Sequence, residues 1–225
     1  LSAAVENTND TIDSLGIDSF CNDFALISPE GELLTQMHSY RDPRTIRLAS
    51  EIYKIIPPEE LYQINGNQIA PFNTLLQLGA MLSQGQQYLL EKNTLLFLPD
   101  LLIYFLSGQR FTEYTLASVS QLYHYHKNDW SDYILKEYGI PKSLFAKVVD
   151  PGTINCRTHE QINSTLRTRG FSITHVCEHD TASAFLASVC KGDYAIISCG
   201  TWALIGTETS GPTINKYGYK YNIAN

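Results

Sequence analysis

The chain has 225 residues, 44% of them hydrophobic, enough for one large domain or one domain with part of a second, and disorder is excluded. A formal net charge of -7 with no stripe of Lys or Arg excludes nucleic acid as a partner, because nothing offsets phosphate repulsion. Only 17% of the residues are charged, which suits a chain whose surfaces are partly covered by something else.

Residues 14–19 and 23–28 each read as a short buried strand, and Pro29-Glu30-Gly31-Glu32 followed by Leu33 predicts a hairpin. Ile46, Ala49, Ile52, Tyr53 and Ile56 recur at helical spacing, which predicts a helix over 45–56 that stops at Pro57-Pro58. A short helix over 59–64 runs into Asn65-Gly66. A long amphipathic helix is expected over 74–90, interrupted in its pattern at Gly85, and another over 101–106, closed by Gly108. Asp129 is expected to cap a helix that ends at Gly139, with Pro141 just beyond. Residues 160–169 predict a helix, 172–177 a strand, and 181–189 a helix small enough to pack tightly on a sheet. Residues 194–198 and 202–207 read as the two arms of a hairpin joined through Cys199-Gly200-Thr201. Residues 216–225, rich in Tyr and Asn, show no partner element. Strands at both ends and a helical middle give an α/β chain. The composition changes after Lys191-Gly192-Asp193, where a second domain is expected to begin.

The most apolar stretch, residues 95–106, is broken by Pro99 and Asp100 and is too short to span a bilayer. No signal peptide is expected. The five cysteines, Cys21, Cys156, Cys177, Cys190 and Cys199, are odd in number and form no CxxC pair. They are expected to be buried or half-buried free thiols of a cytoplasmic protein. His124 and His126 lack a nearby third ligand, so no metal site is expected there.

Two segments carry candidate chemistry. Glu178-His179-Asp180-Thr181 sits between a predicted strand and a small-residue helix, where side chains at the carboxyl end of a strand are well placed for a site. Asp180 can serve there as a helix cap or as a catalytic carboxylate, and the segment alone leaves both open. Ser198-Cys199-Gly200-Thr201-Trp202 ends a strand in a turn that offers N–H groups and a hydroxyl to a phosphate, although such turns are usually only turns.

Taken together, the two segments resemble the HDTASA…SSGTWSL pair of the FGGY-family sugar kinases, in particular the rhamnulokinases. Other segments agree in order: residues 16–24 (GIDSFCNDF) with GIDTWGVDF, residues 40–45 with YRDxRT, residues 68–75 with QxxPFNTL, Leu98-Pro99-Asp100 with LPD, and Glu113-Tyr114-Thr115 with EYTNA. The resemblance implies an actin-like, RNase H-like two-domain kinase in which sugar and ATP meet in an interdomain cleft. Residues 1–189 would then be the sugar-binding first domain without its opening strands. Residues 190–225 would begin the nucleotide domain. By position Asp180 matches the catalytic base, His179 and Thr181 its sugar-contacting neighbours, and Gly200 and Thr201 the ATP-phosphate contact. Mg²⁺ would travel with ATP.

Cys21 stands where these kinases have a sugar-contacting Gly, after Phe20 in place of Trp, which leaves the sugar open. The family's phosphate loop would precede Leu1 and its adenine site would follow Asn225, so the chain alone is expected to be inactive. A kinase for another sugar, such as fuculose or xylulose, and a kinase-like non-catalytic sugar sensor are the alternatives. Homo-oligomerisation is left open.

Overall fold

The computed structural model describes every residue except Asn9 and residues 159–169, so the helix expected over 160–169 lies outside the described residues. In chain order the elements are α1 (Ser2–Glu6), β1 (Ser14–Leu15), β2 (Phe24–Ile27), α2 (Ala49–Ile52), α3 (Pro58–Asn65), α4 (Thr74–Ser83), β3 (Thr94–Phe97), α5 (Leu98–Ser107), β4 (Phe111–Glu113), α6 (Tyr114–Ser118), β5 (Tyr123–His124), β6 (Asp129–Trp130), α7 (Asp132–Glu137), β7 (Lys147–Val149), β8 (Ile154–Arg157), β9 (Ser172–Thr174), α8 (Asp180–Leu186), β10 (Ile196–Cys199), β11 (Ala203–Gly206) and α9 (Lys216–Lys220).

β1 and β9 run parallel, and β8 adds an antiparallel edge to β9. The pairing resumes beyond the strands in a parallel bridge between Ser19 and His179. Gly16 permits this close course, since a Cβ there would lie 2.7 Å from Val176 Cγ1. Elsewhere β2 pairs antiparallel with β3, β4 pairs parallel with β7, and β10 and β11 form a hairpin.

β2 is buried at all four positions, as its unbroken Phe-Ala-Leu-Ile run requires. Its Phe24 and Leu26 join Leu75, Leu76, Leu95, Phe97 and Trp130 in the main core. Trp130 stacks on Phe145 with ring centroids 4.3 Å apart and donates its indole N–H to Ala146 O (3.1 Å).

Several expectations change. The helix expected over 45–56 is a 3₁₀ turn, Pro43–Thr45, followed by the single turn of α2. Ile46, counted toward its apolar face, is 62% exposed. α4 stops at Ser83 because Gly85 takes a positive φ of 72°. The 95–106 stretch divides into β3 and α5, with Pro99 in the first turn of the helix, where its missing N–H costs nothing. Ser131 caps α7, while Asp129 accepts Lys142 Nζ (2.8 Å). The hairpin at Pro29 forms as Ile27 bridges Leu33, although β2 takes β3 as its ladder partner. α8 buries none of its residues, contrary to the tight packing expected.

Residues 216–225 do find partners. Asn222 exchanges hydrogen bonds with the Ile69 backbone, as acceptor at 2.6 Å and donor at 3.1 Å. Tyr62 Oη of α3 donates to Ile223 O (2.9 Å), and Asn225 N–H donates to Gly66 O (3.1 Å). Among the described residues Cys21, Cys177, Cys190 and Cys199 are free thiols. Cys190 and Cys199 are exposed rather than buried.

Candidate active site

Asp180 lies at the carboxyl end of the paired β1 and β9 segments, as the first residue of α8. Its side chain is 54% exposed. Asp180 Oδ1 accepts Thr181 N–H (2.6 Å) and lies 3.3 Å from Thr181 Oγ1 and 3.7 Å from His179 Nε2. The carboxylate thus faces outward between its two sequence neighbours. It reaches only the adjacent N–H, while the N-cap position of the helix is His179, which makes no side-chain cap bond. Burial holds the pKa of His179 below its usual value despite Asp180, so its imidazole is neutral near pH 7.

Two backbone bonds tie the chain on either side. Ser19 N–H donates to Glu178 O (3.0 Å), and Asp180 N–H donates to Ser19 O (2.9 Å). Cys21 follows two residues after Ser19. Its thiol packs against the main core and receives Asn22 Nδ2–H (3.0 Å). Burial and, next, the charge of Asp180 push its pKa up to about 12, so it stays protonated.

Gly200 and Thr201 form the tip of the β10–β11 hairpin, closed by Gly200 N–H donating to Trp202 O (3.0 Å). Among the described residues nothing beyond the adjoining Cys199 and Thr201 lies within 4 Å of where a Gly200 Cβ would sit, so packing in this chain does not demand glycine there. α8 packs against β10. Thr201 and Trp202 line an open cleft of about 400 Å³ opposite Tyr40, Arg41, Asp42 and Phe72. Along it runs a line of aromatic contacts: Phe20 with Tyr40 (5.7 Å), Tyr40 with Phe72 (6.0 Å) and Phe72 with Trp202 (6.1 Å). Phe20 adjoins Ser19, so the line joins the Asp180 end of the sheet to the Thr201 turn. Asp180, His179 and Cys21 are themselves outside the cleft lining.

The scattered motifs converge on Gln77 of α4. Its Nε2 donates to Asn22 O (2.8 Å) and Phe72 O (3.0 Å), and its Oε1 accepts Arg44 Nη2 (3.1 Å). One buried amide therefore fixes the residue after Cys21, the cleft wall at Phe72 and the 40–45 segment. Asp23 adds a bond from Tyr40 N–H (2.6 Å), and burial raises its pKa to about 6.

A second convergence lies behind Asp180. Asp100, Glu113, His175 and Glu178 are each at most 2% exposed. His175 Nδ1 and Glu178 Oε1 are 2.7 Å apart. Burial raises the pKa of Asp100, Glu113 and Glu178, the last to about 8. Asp100 Oδ2 and Glu178 Oε2 have no hydrogen-bond partner, and after burial the charge of Glu178 raises the pKa of Asp100 further. The sequence named Glu178 and Asp100 only as members of quoted segments, gave them no role, and did not name Gln77. The one signal was that each lies inside or beside a segment of the resemblance.

The family model for the N-terminal domain of the FGGY family of carbohydrate kinases matches residues 2–187. The chain belongs to the FGGY family. Two FGGY relatives give the scale of similarity. A rhamnulokinase of Bacteroides thetaiotaomicron is 33% identical over 98% of this chain and 46% of its own length. A rhamnulokinase of Yersinia pestis (strain Pestoides F) is 37% identical over 95% of this chain and 43% of its own. The chain therefore spans less than half the length of these curated relatives. Among solved structures, a ligand-bound xylulose kinase from Lactobacillus acidophilus superposes with a TM-score of 0.83 over 96% of this chain and 44% of that one, at 15% identity. A xyloylose kinase from Brucella ovis gives 0.75 over 90% and 42%, at 18% identity. The fold is thus the actin-like, ribonuclease H-like α/β architecture of the FGGY sugar kinases, covering most of their first domain.

Proposed function

We propose that the protein carrying this chain transfers the γ-phosphoryl group of ATP to a hydroxyl of a ketose, with a deoxyketose such as rhamnulose as the first candidate. The observation that carries this reading is the Asp180 carboxylate, exposed at the end of two segments joined by the Ser19–Glu178 and Asp180–Ser19 backbone bonds, on the side of an aromatic-walled cleft reached through Phe20. The rhamnulokinase relatives support the choice of sugar.

In this reading Asp180 accepts the proton of the attacking sugar hydroxyl. That oxygen forms the new bond to the γ-phosphorus as the bond to the β-phosphate oxygen breaks and ADP leaves. His179 and Thr181, held on either side of the carboxylate, contact the sugar. The neutral imidazole leaves Asp180 unpaired and free to act as a base. The rings of Tyr40, Phe72 and Trp202 supply an apolar wall against the sugar face. Thr201 and the Gly200 turn meet the ATP phosphates across the cleft, with open space for a close backbone approach. Among the described residues no group of three or more His, Cys, Asp or Glu could hold a metal ion. Mg²⁺ would arrive on the ATP phosphates with its waters and supply charge neutralisation there. Residues 1–189 are in this reading the sugar side, and 190–225 open the nucleotide side. Among the described residues no helix is long and apolar enough to cross a membrane, and a cytoplasmic site of action, where ATP is abundant, suits the chemistry.

Cys21 favours keeping a second sugar in view, because a thiol stands where the resembling kinases have only hydrogen. The test is a coupled assay of ADP release by the full-length protein over rhamnulose, fuculose and xylulose. Sugar-dependent release, largest with one ketose, is expected. ATP turnover unaffected by every sugar, with sugar binding retained, would favour the non-catalytic sensor instead.

A further inference from the structure

We infer that Glu113 and Thr115 are positioning residues for Asp180, acting on the peptide groups that lead into it; this rests on Asp180 being the base. The three residues 178–180 each present a backbone N–H at the strand end, and each has one acceptor. Glu178 N–H donates to Glu113 Oε2 (3.2 Å), His179 N–H to Thr115 Oγ1 (3.1 Å) and Asp180 N–H to Ser19 O (2.9 Å). Two of the three acceptors are therefore side chains, reaching in from the end of β4 and the start of α6.

The polarity of this cradle is fixed. Glu113 Oε2 also accepts Thr115 N–H (2.9 Å) and the Thr115 hydroxyl. Because the Thr115 hydroxyl hydrogen is committed to Glu113, its oxygen is left to accept from His179. Glu113 N–H in turn donates to Asp100 Oδ1 (3.1 Å), which anchors the cradle to α5. Glu113 is fully buried, so its acceptor oxygen is shielded from water and its direction is set by protein alone.

Among the described residues, Glu113 and Thr115 are the side chains that accept from these N–H groups, beside the backbone bond to Ser19. The Asp180 side chain is more than half exposed and bonds only to its own neighbours, so packing does not aim it. α8 packs on β10 without fully burying any of its residues, so it contributes little to aiming the carboxylate at its start. Direction must come from the peptide planes before it, and the cradle holds two of them. Such a carboxylate needs a reacting oxygen within hydrogen-bond reach in a defined direction.

The test uses the full-length protein. Thr115→Val keeps the shape of the side chain and removes the hydroxyl. It is expected to lower kcat about 10-fold while KM for the sugar changes less than about twofold, and Thr115→Ser should restore most of the rate. Amide exchange followed by mass spectrometry should show the His179 N–H exchanging faster in Thr115→Val and near wild type in Thr115→Ser. Should Thr115→Val fail to fold, Thr115→Ala carries the same expectations. Wild-type kcat in a folded variant whose His179 amide has been released overturns the proposal. Asp180→Asn in the same assay separates the two layers. If it is inactive while Thr115→Val is normal, the positioning role falls and the base remains; if it is fully active, both fall.

Discussion

At the residue scale Cys21 is the sharpest departure from the kinases this chain resembles. Its surroundings offer both explanations, since the thiol packs against the main core and also lies within the electrostatic reach of Asp180. Cys21→Gly distinguishes them. If the thiol faces the sugar, the variant re-ranks kcat/KM among rhamnulose, fuculose and xylulose, with about 1–3 kcal/mol of discrimination at stake. An unchanged ranking with a clearly lower Tm would mark Cys21 as a packing residue, because the lost group then leaves a small cavity. Asp180 and Thr201 stood out in the sequence because each sits inside a motif of unusual composition, and the roles proposed for them rest on that motif. Glu113 was quoted only as part of a motif. Its partner, the N–H of Glu178, is a backbone group 65 positions away, and backbone groups leave no mark in a sequence.

At the element scale the buried acids of α5, β4 and the segment before α8 have a thermodynamic consequence. Asp100, Glu113 and Glu178 all have raised pKa values when folded, and Glu178 moves from its ordinary 4.5 to about 8. Between those values the folded state binds protons that the unfolded chain has lost, so this stabilisation is complete below about pH 4.5 and disappears as pH rises through about 8. The groups around them are His175, hydrogen-bonded to Glu178, and Cys177, whose pKa burial also raises. His38, His124 and His179, with lowered pKa values, act in the opposite sense at the acid end, so the comparison is with a variant. Glu178→Gln mimics the protonated acid and is expected to flatten the fall in Tm between about pH 5 and pH 8.5. Parallel slopes for the two proteins would show that Glu178 does not retain its proton. The elements themselves were read best where local signals agreed. α3 covers the expected 59–64 helix with one residue more at each end, and α7 lies inside the helix expected up to Gly139; Gly66 and Gly139 beyond them both have positive φ. β3 was missed because its apolar run continues without a break into α5, and only Pro99 marks the boundary. β4 and β7 pair across more than thirty residues in strands of three residues each, too short for a period to show.

At the scale of the whole molecule, the structure joins segments that the sequence left apart. The α/β class was anticipated by the resemblance, whereas the meeting of the 16–24, 40–45 and 68–75 segments was not, and Gln77 supplies the physical link between them. The 216–225 segment was not anticipated, because its attachment to Tyr62, Gly66 and Ile69 uses Asn side chains and backbone groups rather than an apolar stripe. The cleft between the hairpin tip and the Tyr40–Phe72 wall, with Asp180 at the adjoining strand end, is the arrangement on which phosphoryl transfer is proposed. That proposal turns on a single carboxylate. The decisive measurement is kcat and KM of the full-length protein with its best ketose, for wild type and Asp180→Asn. A general base predicts a loss in kcat of about 10²–10⁴-fold with sugar KM little changed and Tm preserved. Retention of wild-type kcat in a stably folded Asp180→Asn would contradict the account and leave Asp180 as a residue of the α8 N-terminus, where Asn serves as well.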